Sequence, residues 1–353
     1  MNKKRLAVIA GVISLALVVM AVPFMTACAA PAEEEEAEKV YTWRHQCAYG
    51  TADCEYITLE PFHKAIDEKT GGRLKITPFP GETIVPTEEL LTSTAEGVVE
   101  VCHAAGGYWK GIVPIANIEQ GLPYFWRGHG GLDTWKELLY GQGLDELFRE
   151  AYAKQGVYYI GSHSYNSYPI VVSTVPIRTL ADYEGLKIRA SGAPSDMFDH
   201  FGASVTWMPG AELYMALKLG TMDAVTWSCE GLIGYKWYEV ADYLIRPEML
   251  DHSNSHFLVT MDAWNALPED IQQVYMDCYH DIYIPQLYAM YMAEWKMIYT
   301  MEGILPYEII TLPDEDVAKM QKFAIEEMWD KEAEKGDDCA EAVQIAKDFY
   351  GIK

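Results

Sequence analysis

Arg189 closes the run Gly185-Leu186-Lys187-Ile188-Arg189, directly before the small residues Ala190-Ser191-Gly192-Ala193 and a helical stretch from Pro194. A guanidinium at the carboxyl end of a strand, beside small residues and a helix start, can take a carboxylate through two parallel N–H bonds. The plainer alternative is a surface arginine paired with one of the many acids. A second constellation is Asp251-His252 with His256 four residues on. On a helix that spacing puts both imidazoles on one face as metal ligands, but Ser253-Asn254-Ser255 reads as a loop entering a strand, which leaves surface or pocket-rim residues as the simpler reading. The sequence has no G-x-S-x-G, H-E-x-x-H, P-loop or C-x-x-C pattern. Gly128-His129-Gly130-Gly131 and Gly141-Gln142-Gly143 lack the strand-to-helix setting of a dinucleotide fingerprint and read as turns.

The elements that must carry these residues alternate. Val40 to Trp43 reads as a strand, Leu59 to Thr70 as a helix closed by Gly71-Gly72, and Arg73 to Phe79 as a second strand. A helix from Pro86 to Gly97 and a strand from Val98 to Ala104 complete a βαβαβ opening, which a doubly wound parallel sheet requires. A second unit of the same kind starts near Val157, with strands at Pro169 to Ser173, Leu186 to Ala190, Ser204 to Trp207 and Ala224 to Trp227. The last third reads as helical, broken by Pro285 and by a strand from Tyr307 to Thr311.

Composition sets outer limits. The chain has 353 residues, half of them apolar, with 27 Lys+Arg against 52 Asp+Glu and a net charge of -25. That excludes a disordered chain and argues against a nucleic-acid binder, which needs a basic face. Lys3, Lys4 and Arg5 precede an uncharged stretch from Leu6 to Phe24 and then Met25-Thr26-Ala27-Cys28, the pattern of an export signal over 1–27. Its exit resembles a bacterial lipobox, which would make Cys28 a lipidated N-terminus; an uncleaved membrane anchor is the alternative. The Ala-, Pro- and Glu-rich residues 28–39 read as a solvated acidic linker. Outside the cytoplasm Cys47 and Cys54 could form a short-loop disulfide or stay as buried thiols, since their spacing matches no metal or redox motif.

The blocks Gly185-Leu186-Lys187-Ile188-Arg189, Phe201-Gly202-Ala203, Glu212 to Leu217 and Gly220-Thr221-Met222-Asp223-Ala224 closely resemble the solute-binding subunits of tripartite ATP-independent periplasmic (TRAP) transporters. Lys69 to Leu74 with Phe79-Pro80-Gly81, Tyr238 to Tyr243 and Ala263 to Pro268 extend the similarity along the chain. The resemblance implies an α/β, two-lobed periplasmic-binding fold of type II-like form, hinged between the lobes, with a helical C-terminal region. Lobe I is then expected over 40–162 with 254–300 returning to it, and lobe II over 163–253 with 301–353 packing on it. It further implies an extracytoplasmic receptor, not an enzyme, that closes on an organic carboxylate held by Arg189 and delivers it to membrane permease subunits, and the lipobox-like exit at Cys28 would make that receptor lipid-anchored to a bacterial membrane.

A branch of that family holds a metal beside the ligand with an acid placed directly before a tryptophan; this chain has Thr226-Trp227 there, which argues against that metal, and no other cofactor is expected. Branches for sialic acid and dicarboxylates often carry a second arginine on the crossover strand, and Tyr165-Asn166-Ser167-Tyr168 contains none. One cation among neutral and aromatic neighbours favours a monocarboxylate. Further candidate ligand contacts are His45 and Gln46 at the end of the first strand, Tyr108 and Trp109 after Gly106-Gly107, Asn166 at the crossover, and Trp207, Trp227 and Ser228 at later strand ends. Two other readings are a secreted α/β enzyme, with His45 as acid–base and Arg189 orienting an organic acid, and a signalling receptor of the same fold.

Overall fold

The computed structural model describes residues 39–126, 132–164 and 167–352. Cys28, the expected signal and all but the last residue of the expected linker lie outside the described residues, as does Asn166. The strands are β1 (Tyr41–Cys47), β2 (Leu74–Phe79), β3 (Val101–Ala104), β4 (Val157–Ser164), β5 (Ile170–Ser173), β6 (Lys187–Arg189), β7 (Ser204–Thr206), β8 (Ala224–Trp227), β9 (Tyr243–Arg246), β10 (Asn254–Thr260) and β11 (Glu308–Thr311).

They form two sheets, ordered β2-β1-β3-β10-β4 and β11-β9-β5-β8-β6-β7. Neither is wholly parallel. In the first, β10 runs antiparallel to β3 and β4; in the second, β5 runs antiparallel to β8 and β9. Each opposed strand is the one entered after the chain has crossed from the other sheet, so it arrives from the cleft side. The Val157 strand correspondingly closes the first sheet and does not open a second unit. Every residue of β3, β5, β8 and β10 is buried, as expected of central strands covered on both faces.

Helices cover the sheets by ordinary amphipathic logic. Leu59–Lys69 buries Leu59, Phe62, His63 and Ile66, a one-face spacing, and its chain exit uses left-handed Gly71 and Gly72. Pro285 does not break the C-terminal helix. A π-turn at Tyr279–Tyr283 leads into helix Ile284–Met301, and the proline sits in its first turn, where its missing N–H costs nothing. This 18-residue helix, about 27 Å long, packs on both Cys54–Ile57 and Cys229–Gly231 and so braces both lobes.

The connections between β4 and β5 and between β9 and β10 run side by side. Tyr168 and Leu250 exchange backbone hydrogen bonds of 2.9 Å there, making a paired hinge. The segment 301–353 does not pack on lobe II as one piece. Asp316 accepts from the Leu180 N–H at 3.0 Å and Phe323 stacks on His200 with centroids 3.5 Å apart, both beside the second sheet. Helix Asp337–Tyr350 instead covers Ile115–Gln120 and Leu144–Ala153, burying Cys339, Ala342, Val343 and Ala346 on one face. Cys47 and Cys54 are buried free thiols, as are Cys102, Cys229, Cys278 and Cys339, so the disulfide alternative is set aside. Cys47 Sγ is committed elsewhere, 3.4 Å from His103 Nδ1.

Candidate ligand-binding site

Arg189 ends β6, paired with Thr206 on β7 and Val225 on β8. It is 1% exposed. Its Nε donates to the Met208 carbonyl at 2.9 Å and its Nη1 to the Thr226 carbonyl at 3.2 Å, and its guanidinium carbon lies 5.0 Å from the Trp227 ring centre. Nη2 is buried with no hydrogen-bond partner. Among the described residues no carboxylate lies within ion-pair distance of it, so this is a buried cation held in position and short of an anion, a costly arrangement unless a ligand supplies one.

A cavity adjoins it. Lobe I contributes Tyr49, Glu55, Ala105, Tyr108 and Gln120. The hinge contributes Tyr168, lobe II contributes Ser191, Trp227 and Ser228, and the long helix contributes Tyr291. They surround about 300 Å³. The cleft is nearly shut, and contacts across it agree with that. Gly107 of lobe I meets Gly192 of lobe II so closely that a Cβ at Gly107 would lie 2.9 Å from the Gly192 Cα, and Lys110 Nζ donates to the Gly192 carbonyl at 3.3 Å. Gly192, at φ +67°, also turns the chain after Arg189 in a conformation that side chains resist.

Electrostatics differ sharply around the cavity. Burial pushes the Tyr108 hydroxyl up to about 12, with Arg189 pulling the other way, so it stays a neutral donor. Against the upward push of burial, His163 and His103 hold Glu55 well below the usual carboxylate range. Glu55 Oε1 is buried without a partner. Near Ser228, burial raises Glu230 to about 7, moderated by its hydrogen bonds to Ser228 and Asp53. Asp53 comes from lobe I, so this carboxyl pair bridges the cleft, and Tyr235 of lobe II also donates to Asp53 at 3.3 Å.

The sequence candidates separate into two groups. Arg189, Tyr108, Trp227 and Ser228 gather at one place. His45, Gln46, Trp109 and Trp207 do not. His45 is fully buried with Nδ1 2.9 Å from His63 Nε2, and burial together with the neighbouring imidazoles holds it neutral. Gln46 spends its amide on the backbone of Ile84 and Val85, in bonds of 2.7 to 3.0 Å. Trp109 lies in the core and donates to Tyr152 at 3.2 Å. Trp207 is 39% exposed and borders an open hollow with Lys110 and Ser195, which adjoins the cavity through Tyr108 and Ser191. His252 and His256 belong to a strand and its approach, not a helix. His252 Nδ1 is 2.9 Å from Ser164 Oγ, and His256 Nδ1 is 2.9 Å from both Glu119 oxygens.

Tyr49, Glu55, Gln120, Tyr168 and Tyr291 also line the cavity without being among the sequence candidates. Only Tyr168 carried a signal, its place at the crossover.

A family model described as "Bacterial extracellular solute-binding protein, family 7" matches residues 47–335. The chain belongs to this family. It is 27% identical over 237 residues to the monocarboxylate 2-oxoacid-binding periplasmic protein of Nostoc sp., a match covering 66% of this chain and 64% of that one. It is also 27% identical over 234 residues to the 2,3-diketo-L-gulonate-binding periplasmic protein of Escherichia coli, covering 63% of this chain and 66% of the other. These matches thus span just under two thirds of the relatives' length. Two solved TRAP periplasmic solute-binding proteins share the two-lobed fold. One, from Chromohalobacter salexigens with bound (S)-(+)-2-amino-1-propanol, has a TM-score of 0.81 at 23% identity, covering 88% of this chain and 96% of that one. The other, from Pseudoalteromonas atlantica with bound sodium and pyruvate, has a TM-score of 0.79 at 23% identity, covering 88% and 94%.

Thr226 stands directly before Trp227, where the family resemblance would put a metal-holding acid. Its hydroxyl is buried and unpartnered but uncharged, and its carbonyl is taken by Arg189.

Proposed function

We propose that this chain is the extracytoplasmic receptor of a TRAP transporter, capturing a small organic monocarboxylate between its lobes and handing it to membrane permease subunits, with no covalent chemistry. The observation that carries this is the buried Arg189, braced by two carbonyls and left with an unpartnered Nη2 beside an aromatic cavity. The similarity to monocarboxylate- and ketoacid-binding relatives points the same way. Lipid attachment at Cys28, after removal of residues 1–27, would tether the receptor to the bacterial membrane.

Magnitudes define what the rest of the cavity must supply. Two charge-assisted hydrogen bonds are worth roughly 3–6 kcal/mol, whereas micromolar affinity requires about 8 kcal/mol. Burial against Tyr108, Tyr168 and Trp227 and closure about the hinge must provide the difference. A thermal-shift screen of organic acids identifies the ligand class, because a compound that binds only the folded chain raises its melting temperature. With the best acid in hand, Arg189→Ala is expected to lose about 2–5 kcal/mol of calorimetric affinity. Unchanged affinity would remove Arg189 as the anchor, and turnover of the added acid would favour the enzyme reading.

A further inference from the structure

We propose that Glu55, His103 and His163 form a binding site for one divalent transition-metal ion of the zinc class, set in the lobe I wall of the cleft. This does not depend on the carboxylate reading of the cavity. Glu55 lies in helix Cys54–Ile57, His103 in β3 and His163 in β4, so three separate elements converge. All three side chains are buried. Glu55 Oε2 is 2.7 Å from His103 Nε2 and 3.0 Å from His163 Nε2, and the two Nε2 atoms are 3.2 Å apart. Tetrahedral coordination at zinc bond lengths of about 2.0–2.1 Å separates neighbouring donors by about 3.3 Å, close to this triangle.

Tautomers strengthen the case. The Tyr279 hydroxyl donates to the Gly161 carbonyl at 2.7 Å, so its oxygen is left to accept the proton on His163 Nδ1, 3.0 Å away. A neutral His163 therefore turns the bare lone pair of Nε2 toward a carboxylate oxygen and a second imidazole nitrogen. With His103 Nε2 unprotonated as well, those buried lone pairs repel, and a cation between them converts repulsion into coordination. Such a hydrogen bond behind a ligating imidazole is also the usual means of fixing a metal-binding tautomer. The Tyr283 hydroxyl, 2.7 Å from Glu55 Oε2 and 3.4 Å from His103 Nε2, stands at the fourth corner. Two imidazoles and one carboxylate form a zinc-type set, unlike the all-oxygen shells that calcium and magnesium prefer. Glu55 also lines the ligand cavity, and its Oε1 has no partner, so parting the lobes gives an ion a way in.

The competing occupant is a proton on His103 Nε2 or His163 Nε2, and cobalt(II) distinguishes a metal from either. Full-length protein stripped with a chelator and kept free of organic acid is titrated with cobalt(II) and then zinc(II). One equivalent of cobalt is expected to give intense tetrahedral visible bands that one equivalent of zinc abolishes. His163→Gln and His103→Gln should lose them, Tyr279→Phe should weaken zinc binding about 10–100-fold, and the double surface variant His200→Gln/His280→Gln should leave them unchanged. Absence of a saturable one-to-one cobalt spectrum in the unmodified protein overturns the proposal, as does a spectrum that survives His163→Gln or disappears in the surface variant. Should the buried variants fail to fold, a rise in melting temperature with one equivalent of zinc but not calcium still supports the site, and no rise overturns it.

Discussion

The two lobes share a plan and differ in chemistry. Read from the parallel edge inward, the first sheet runs β2-β1-β3-β10-β4 and the second β7-β6-β8-β5-β9, with one borrowed antiparallel strand in the same place and β11 added at the far edge. In both, the carboxyl ends of the second and third strands in this order lead to the cavity. Lobe II places there a cation braced by backbone carbonyls, with a tryptophan beneath it. Lobe I places there an acid held among imidazoles and tyrosine hydroxyls. Under the proposed function this difference is a division of labour: one lobe would supply the charge that selects an anion, and the other ring faces and a polar wall. An overall charge of -25 therefore says little about what the cleft accepts.

That contrast is tested most severely at Trp227. Its ring is wedged so that a Cβ at Gly210 would come within 2.5 Å of it, and it carries both the Arg189 stack and an edge contact to Tyr49 across the cleft. Trp227→Ala should cost about 3–5 kcal/mol of folding stability and also weaken the ligand, whereas Trp227→Phe should keep most of both. Denaturant unfolding and calorimetry on the two variants check this, and equal behaviour of the pair would deny the ring its supporting role. The lobe I counterpart is Gln46, a candidate contact that the structure makes a loop clamp. Gln46→Leu should cost about 1–3 kcal/mol of stability through the backbone groups it strands, with ligand affinity intact. A selective loss of affinity would return it to the binding site.

Acidity provides a smaller test. Burial raises Glu230 to about 7, and Asp53 of the opposite lobe faces it. Between its unfolded value near 4.5 and about 7, the folded chain holds this proton more tightly than the unfolded one. The associated stability is present below that window and is lost as pH rises through it, by at most about 1.4 kcal/mol per pH unit. Melting temperature should therefore fall from pH 5 to pH 8 in the unmodified protein, and Glu230→Gln should flatten this component. A variant that retains the full slope would place its origin elsewhere.

Much of this is legible in the sequence, and the parts that are not share a physical cause. The strand at Leu186 to Ala190 and its terminal Arg189 could be read because a short apolar run, a charge and a glycine-rich exit sit together in sequence. Trp227 and Ser228 followed from the same logic at the end of a buried central strand. His45 and Gln46 failed because β1 continues to Cys47, so both lie within the strand and its alternation sends them to the flanking layers. Glu55 and Tyr291 lie on helices, and which helix faces reach the cleft is decided by the packing of 284–301 across both lobes, which no local pattern encodes. The final helix likewise buries one apolar face, but nothing in that face specifies lobe I as its partner.

Trp207 and Trp227 then make the finest comparison, because sequence treated them alike. Both follow a short strand in the same lobe. Trp227 ends β8, which is flanked by β5 and β6, while Trp207 follows β7, the edge strand, and so is left 39% exposed, 6.4 Å from the Tyr108 ring. An exposed ring with one tilted neighbour contributes little, so Trp207→Ala should change stability by no more than about 0.5 kcal/mol and leave acid affinity within experimental error. A tenfold loss of affinity would mean that the cleft closes differently, bringing the open hollow beside Lys110 into the ligand site and moving the lobe II contribution from its central strand to its edge.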